Sequence, residues 1–171
     1  MDRRRRLAFA SLDDVMPEVE RLLAGHVTVG NWSLGQICNH LATAFHLVVD
    51  VAPRDVAPGR REVLVAWLAR RWFFAVDRFP TGVKVPSPRL IPRPGADARR
   101  EAEALREAIA RFVSAPGPFP THPILGPLTR AQWVELHRRH CAHHLGFALP
   151  RSIGGRETRE FPGRRASDQV T

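Results

Sequence analysis

The sequence predicts an all-α fold. Three observations carry that expectation: capping signals at helix starts, apolar residues recurring at three- and four-residue spacing, and no polar–apolar alternation sustained over a strand's length. Ser11, followed by Asp14, opens a first helix through Val15, Val19, Leu22 and Leu23, and Gly25 ends it. Ser33 and Gln36 form an S-x-x-Q capping box, in which the hydroxyl accepts from the third amide and the glutamine reaches back to the cap. The second helix therefore runs from Leu34 to Asp50, and Pro53 blocks its continuation. A third, from Arg61 to Val76, is strongly apolar. Its Trp67, Trp72, Phe73 and Phe74 are expected in a buried core, with a substrate pocket or a dimer face as the alternatives. Ala96 to Ser114 is built of good helix formers, with Leu105, Ile109, Phe112 and Val113 as its inward stripe. Thr129 and Gln132 repeat the capping box and open a last helix that reaches Leu149, before Pro150.

Two proline-rich stretches, Phe79 to Pro94 and Pro116 to Pro127, are flanked by apolar residues that need a core. They read as ordered crossings within one domain rather than linkers between two. Residues 1–149 thus form one helical domain, and residues 150–171, rich in Gly, Arg and Ser, form a flexible basic tail.

The chain of 171 residues carries a net charge of +9, which invites a nucleic-acid reading. The distribution argues against it. Arg3–Arg6 against Asp2 account for +3, and the five arginines after Pro150 against Glu157, Glu160 and Asp168 for +2, leaving +4 for the body. Lys84 is the only lysine, and no aromatic residues interleave with basic ones as a stacking platform would require. Two cysteines, Cys38 and Cys141, are too few for a disulfide framework and suit a reducing compartment; both read as small buried hydrophobes. The Arg3–Arg6 run lacks the apolar stretch of a secretory signal behind it. The apolar runs Leu41–Ala52 and Val63–Val76 fall short of the roughly 20 residues of a membrane span. The expected location is cytoplasmic, without membrane association.

Function is sought among the histidines. Four crowd into His137-Arg-Arg-His140-Cys-Ala-His143-His144. On a helix, Trp133, His137, His140 and His144 fall within about 60° of one another. His140 and His144, at i and i+4, can converge on one ion, with Zn–N bonds of about 2.0–2.1 Å. The glutamate of H-E-x-x-H is missing, so the hydrolytic chemistry of that motif does not transfer. A third ligand must come from elsewhere, and spacing leaves His40, on the flank of the second helix's apolar stripe, alongside His137 and His46. Core-edge histidines bonded to backbone fit the same spacing.

Two segments resemble a known family. Gly30-Asn-Trp32-Ser33-Leu-Gly-Gln36-Ile-Cys-Asn-His40-Leu41-Ala42 resembles the W-S-x-x-[EQ]-x-x-x-H-L motif of the DinB-like superfamily, which includes YfiT-type proteins. Arg139-His140-Cys-Ala-His143-His144-Leu-Gly-Phe147 is similar to that superfamily's closing H-x-x-x-H-R-G-Q helix. Arg6-Leu-Ala-Phe-Ala-Ser-Leu12 and His122-Pro-Ile-Leu-Gly126-Pro-Leu-Thr129-Arg-Ala-Gln-Trp133 resemble a branch described only as a domain of unknown function. The resemblance implies an up-down-down-up four-helix bundle, here with an additional helix and the Pro-rich crossing loops. It also implies a divalent ion, zinc or nickel, held by His40, His140 and His144, with His143 not coordinating. Leu145-Gly146-Phe147 replaces Arg-Gly-Gln, so no role of that Arg or Gln carries over.

The superfamily includes thiol transferases, so the resemblance points to a metal-dependent enzyme, transferase-like or hydrolase-like. It would activate a thiol or water for attack on a small-molecule electrophile, with a low-molecular-weight thiol as one possible substrate and a homodimer as one possible assembly. The alternatives are a metal-holding structural or sensory bundle without turnover and a basic nucleic-acid module. No residue is assigned as catalytic; Glu135 and His137 are merely near the expected site on the same helix.

Overall fold

A computed structural model describes residues 4–51, 59–76 and 88–151. The described residues form five α-helices and a small sheet: α1 Val15–Leu23, β1 His26–Thr28, α2 Leu34–Asp50, α3 Arg60–Ala75, α4 Ala98–Ser114, α5 Arg130–Leu145 and β2 Ala148–Pro150. Short 3₁₀ turns at Leu12–Asp14 and Pro88–Leu90 precede α1 and α4.

The capping chemistry read from the sequence is present. Ser33 accepts from the Gln36 amide at 3.2 Å while Gln36 Oε1 accepts from the Ser33 amide at 3.0 Å, and Thr129 and Gln132 make the same pair of bonds. Ser11 and Asp14 close a third box around the turn that leads into α1. α4 begins at Ala98 rather than Ala96, and Asp97 caps it, accepting from the Arg100 amide at 2.8 Å.

The core is built by α1, α2, α4 and α5. Leu22, Leu34, Ile37, Leu41, Phe45, Leu105, Phe112 and Leu145 are fully enclosed, and α2 against α4 is the most extensive pairing. Their close approach at one end requires a glycine: a Cβ on Gly35 would stand 2.0 Å from the Ala96 carbonyl oxygen.

Three expectations are corrected. α5 stops at Leu145 instead of Leu149, because Gly146 turns the chain and Ala148–Pro150 pairs antiparallel with His26–Thr28. This two-stranded sheet has three residues a side, too short for alternation to register in a sequence. Pro150 belongs to that sheet, and the Arg151 amide donates to Gly25 O at 2.8 Å; residues 152–171 of the expected tail lie outside the described residues.

The third correction is α3. Only Phe73 is buried, while Trp67 and Trp72 are 44% and 56% exposed, and Val63, Leu64, Val65 and Leu68 are exposed as well. α3 docks along one strip. Ala69 and Phe74 lie against the core, and Ala66 lies so close to Gly126 that a Cβ there would stand 3.1 Å away. The helix is apolar on nearly all sides, so its pattern could not say which side faces in. No described helix is long and apolar enough to cross a membrane.

Candidate metal centre

His40 projects from α2, and His140 and His144 from α5. One ring nitrogen of each lies within 4.8 Å of the others. His40 Nε2 and His140 Nε2 are 3.1 Å apart, and the ring centroids of His40–His144 and His140–His144 are separated by 4.5 and 4.7 Å. His40 is buried and the other two are half-buried. No Asp, Glu or Cys joins the three among the described residues.

The far side of His40 decides what the near side can do. Its Nδ1 donates to the Leu90 carbonyl at 2.6 Å, in the 3₁₀ turn before α4. A carbonyl can only accept, so the ring carries its proton on Nδ1 and turns the Nε2 lone pair toward His140. A carbonyl behind a histidine in this way is the usual outer support of a metal ligand.

Burial pushes all three rings toward the neutral state. It lowers His40, with the Leu90 bond opposing, and takes His140 well down with help from its histidine neighbours. It takes His144 to about 2, the nearby His40, His143 and Arg4 adding to the effect. Three imidazoles, each held toward the neutral state, therefore converge on one point, with the His40 Nε2 lone pair facing His140 Nε2 at 3.1 Å.

The donor set fits a divalent cation. With bonds of ~2.1 Å, adjacent ligand nitrogens stand ~3.4 Å apart in a tetrahedron and ~3.0 Å apart in an octahedron; the His40–His140 pair at 3.1 Å falls between, while the three nitrogens as a set lie within 4.8 Å. The triad could hold a metal ion, and its geometry does not select which. Trp32 walls the cluster, stacked on His144 at 5.4 Å and tilted against His40 at 4.9 Å.

The other candidates lie elsewhere. His137 is one turn before His140 but sits in an aromatic box, stacked on Phe45 at 4.0 Å with Phe112 and Trp133 at 4.9 and 5.8 Å. His46 faces a cavity of about 340 Å³ on another side of α2, with its Nδ1 accepting from Arg111 at 2.8 Å. His143 is outside the triad, and its Nδ1 accepts from Arg4 at 2.7 Å.

Glu135 serves the docking of α3. It pairs with Arg138 and Arg139, and Arg139 also donates to the Phe73 and Val76 carbonyls at 3.0 and 2.6 Å. Cys38 and Cys141 are fully buried, and burial pushes both thiols up, Cys38 to about 12, so neither supplies a thiolate at neutral pH. The sequence carried no sign of Leu90, because a backbone carbonyl is offered by every residue; Trp32 stood in the quoted motif without a role.

No curated protein and no solved structure matches the chain. Residues 1–151 match the model of a family described as "Protein of unknown function (DUF1569)", and the chain belongs to that family.

Proposed function

We propose that this is a DinB-like helical bundle whose His40, His140 and His144 hold a divalent ion, zinc or nickel, and that it activates a small thiol or water toward a small-molecule electrophile. One observation carries the metal reading: three neutral histidine nitrogens from two helices converge within 4.8 Å, one of them tautomerically fixed from behind. The fit of α1, α2, α4 and α5 around one core supports the bundle.

A divalent ion bound there would supply Lewis acidity, lowering the pKa of a water or thiol toward neutrality. The chain's own residues do the rest. His40, His140 and His144 carry no positive charge that a cation would have to displace, because burial already holds them toward the neutral state. Trp32 covers one side of the cluster with an apolar ring face.

A second reading, metal holding without turnover, is favoured by the same census: no carboxylate joins the triad among the described residues, so no general base is apparent beside it. Zinc-loaded protein assayed with a panel of thiols and alkylating electrophiles separates the two. Thiol consumption that disappears in H144A supports the enzyme; an intact metal site with no turnover of any pair supports the second reading.

A further inference from the structure

The Leu90 carbonyl that fixes His40 lies in a segment poorly equipped to hold itself. Pro88, Pro92 and Pro94 have no N–H to donate, and the Ile91 amide closes only a local turn onto Pro88 O. The segment is tied from outside instead. The Arg93 amide donates to Asn39 Oδ1 at 3.2 Å, and the Arg93 guanidinium donates to Glu101 Oε1 at 2.7 Å. Asn39 Nδ2 donates to Glu101 Oε2 at 2.8 Å. The ring of bonds closes through three elements: Asn39 on α2, Arg93 in the loop and Glu101 on α4.

Two features make this more than a surface ion pair. Glu101 is only 4% exposed, and a carboxylate removed from water is costly unless its oxygens are met. Both are met here. The clamp also brackets the bond that matters, since Asn39 precedes His40 and Arg93 follows Leu90 by three residues.

We propose that Glu101 is a positioning residue for the histidine triad: through Asn39 and Arg93 it fixes the loop whose Leu90 carbonyl keeps His40 protonated on Nδ1 and its Nε2 directed at His140 and His144. The inference deepens the metal reading and rests on it for its purpose, but the tautomer of His40 is a property of the metal-free protein and is tested there. Glu101 touches neither the triad nor anything bound to it; it acts through the loop.

Donor and acceptor rules supply a specific test. Asn39 Nδ2 and the Arg93 guanidinium both donate, so residue 101 must accept on both atoms. E101Q offers one oxygen and turns an amide donor against a donor, breaking one arm while nearly preserving shape. N39D/E101Q reverses that arm. The new side-chain amide at position 101 donates to the new carboxylate at position 39, and the amide oxygen still accepts from the Arg93 guanidinium. The second oxygen of the new carboxylate accepts the Arg93 backbone amide. The net charge is unchanged, and every bond of the ring is restored with one direction reversed.

The experiment measures the His40 tautomer by ¹⁵N–¹H correlation in the metal-free protein and zinc affinity by competition with a chelator. Wild type is expected as a single Nδ1–H form. E101Q is expected to mix tautomers at His40 and to weaken zinc about tenfold or more, in the range seen when outer supports of metal ligands are removed. N39D/E101Q is expected to recover both. A single Nδ1–H form in folded E101Q overturns the proposal, as does a folded double variant that stays mixed.

Wild type that binds no zinc yet shows the tautomer shift and its rescue leaves the clamp standing and removes the metal reading. Should E101Q not fold, R93A replaces it. That variant cuts one tie of the loop from an exposed side chain, and an unchanged His40 tautomer in it likewise overturns the proposal.

Discussion

Helix α5 carries two kinds of histidine three residues apart, and the difference lies in what faces them. His140 and His144 meet His40, whose proton is held on the far side by Leu90. His137 meets Phe45, Phe112 and Trp133. Its Nε2 and the neighbouring Trp133 Nε1 are buried without a hydrogen-bond partner. Both environments drive the imidazole neutral. Only one gathers ring nitrogens at a common point, so burial alone does not make a ligand and the opposite helix decides.

The comparison can be strained first at the aromatic box. Phe45 is fully buried against both His137 and Phe112. Phe45→Ala is expected to cost about 3–5 kcal/mol in urea unfolding of the metal-free protein, the range for a large ring removed from a core. A loss below about 1 kcal/mol would mean the box is not the packed unit described.

Acid probes the same box more gently. Burial lowers His137 to about 3, with His122 nearby adding to the shift, and burial lowers His122 to about 4. Below pH 6.5 the unfolded chain takes up these protons while the folded chain does not, so stability falls as pH falls from about 6.5 toward 3. His137→Leu is expected to flatten that slope in a pH series of urea midpoints, by on the order of 4 kcal/mol across the window. An unchanged slope would place His137 in water.

At neutral pH the same substitution should do little. His137→Leu removes a nitrogen that has no partner, so stability is expected to hold or rise by about 1 kcal/mol. Metal binding should be untouched. A matching loss of metal would erase the distinction between the two kinds of histidine.

The smallest effect is optical. Trp32 stacks on His144, so cobalt or nickel should quench its emission, and Trp32→Phe should remove most of the metal-dependent change while leaving the stoichiometry intact. Quenching that survives in Trp32→Phe would move the ion toward another tryptophan.

How much of this was legible in the sequence follows from the range of the interactions. The capping boxes at Ser33 and Thr129 are local, and the observed helices begin where those residues put them. The i, i+4 pair His140 and His144 is equally local. Spacing does not choose His40 over His137 and His46, because that depends on which helix faces α5; the family resemblance implied His40, and the structure brings it to the pair and leaves the other two aside. The Asn39–Glu101–Arg93 clamp has no local signature, since Glu101 lies in a charged run that reads as a solvated face. α3 failed for the opposite reason: too many of its sides are apolar for a pattern to mark the buried one.

The central claim is that His40, His140 and His144 form one metal centre and His137 stands outside it. The most direct test is elemental analysis of protein refolded with zinc and passed over a desalting column, for wild type, H40A, H140A, H144A and His137→Leu. One ion per chain is expected in wild type and His137→Leu, and none in the other three. Full stoichiometry in H40A or H144A, or equal loss in His137→Leu, would contradict it.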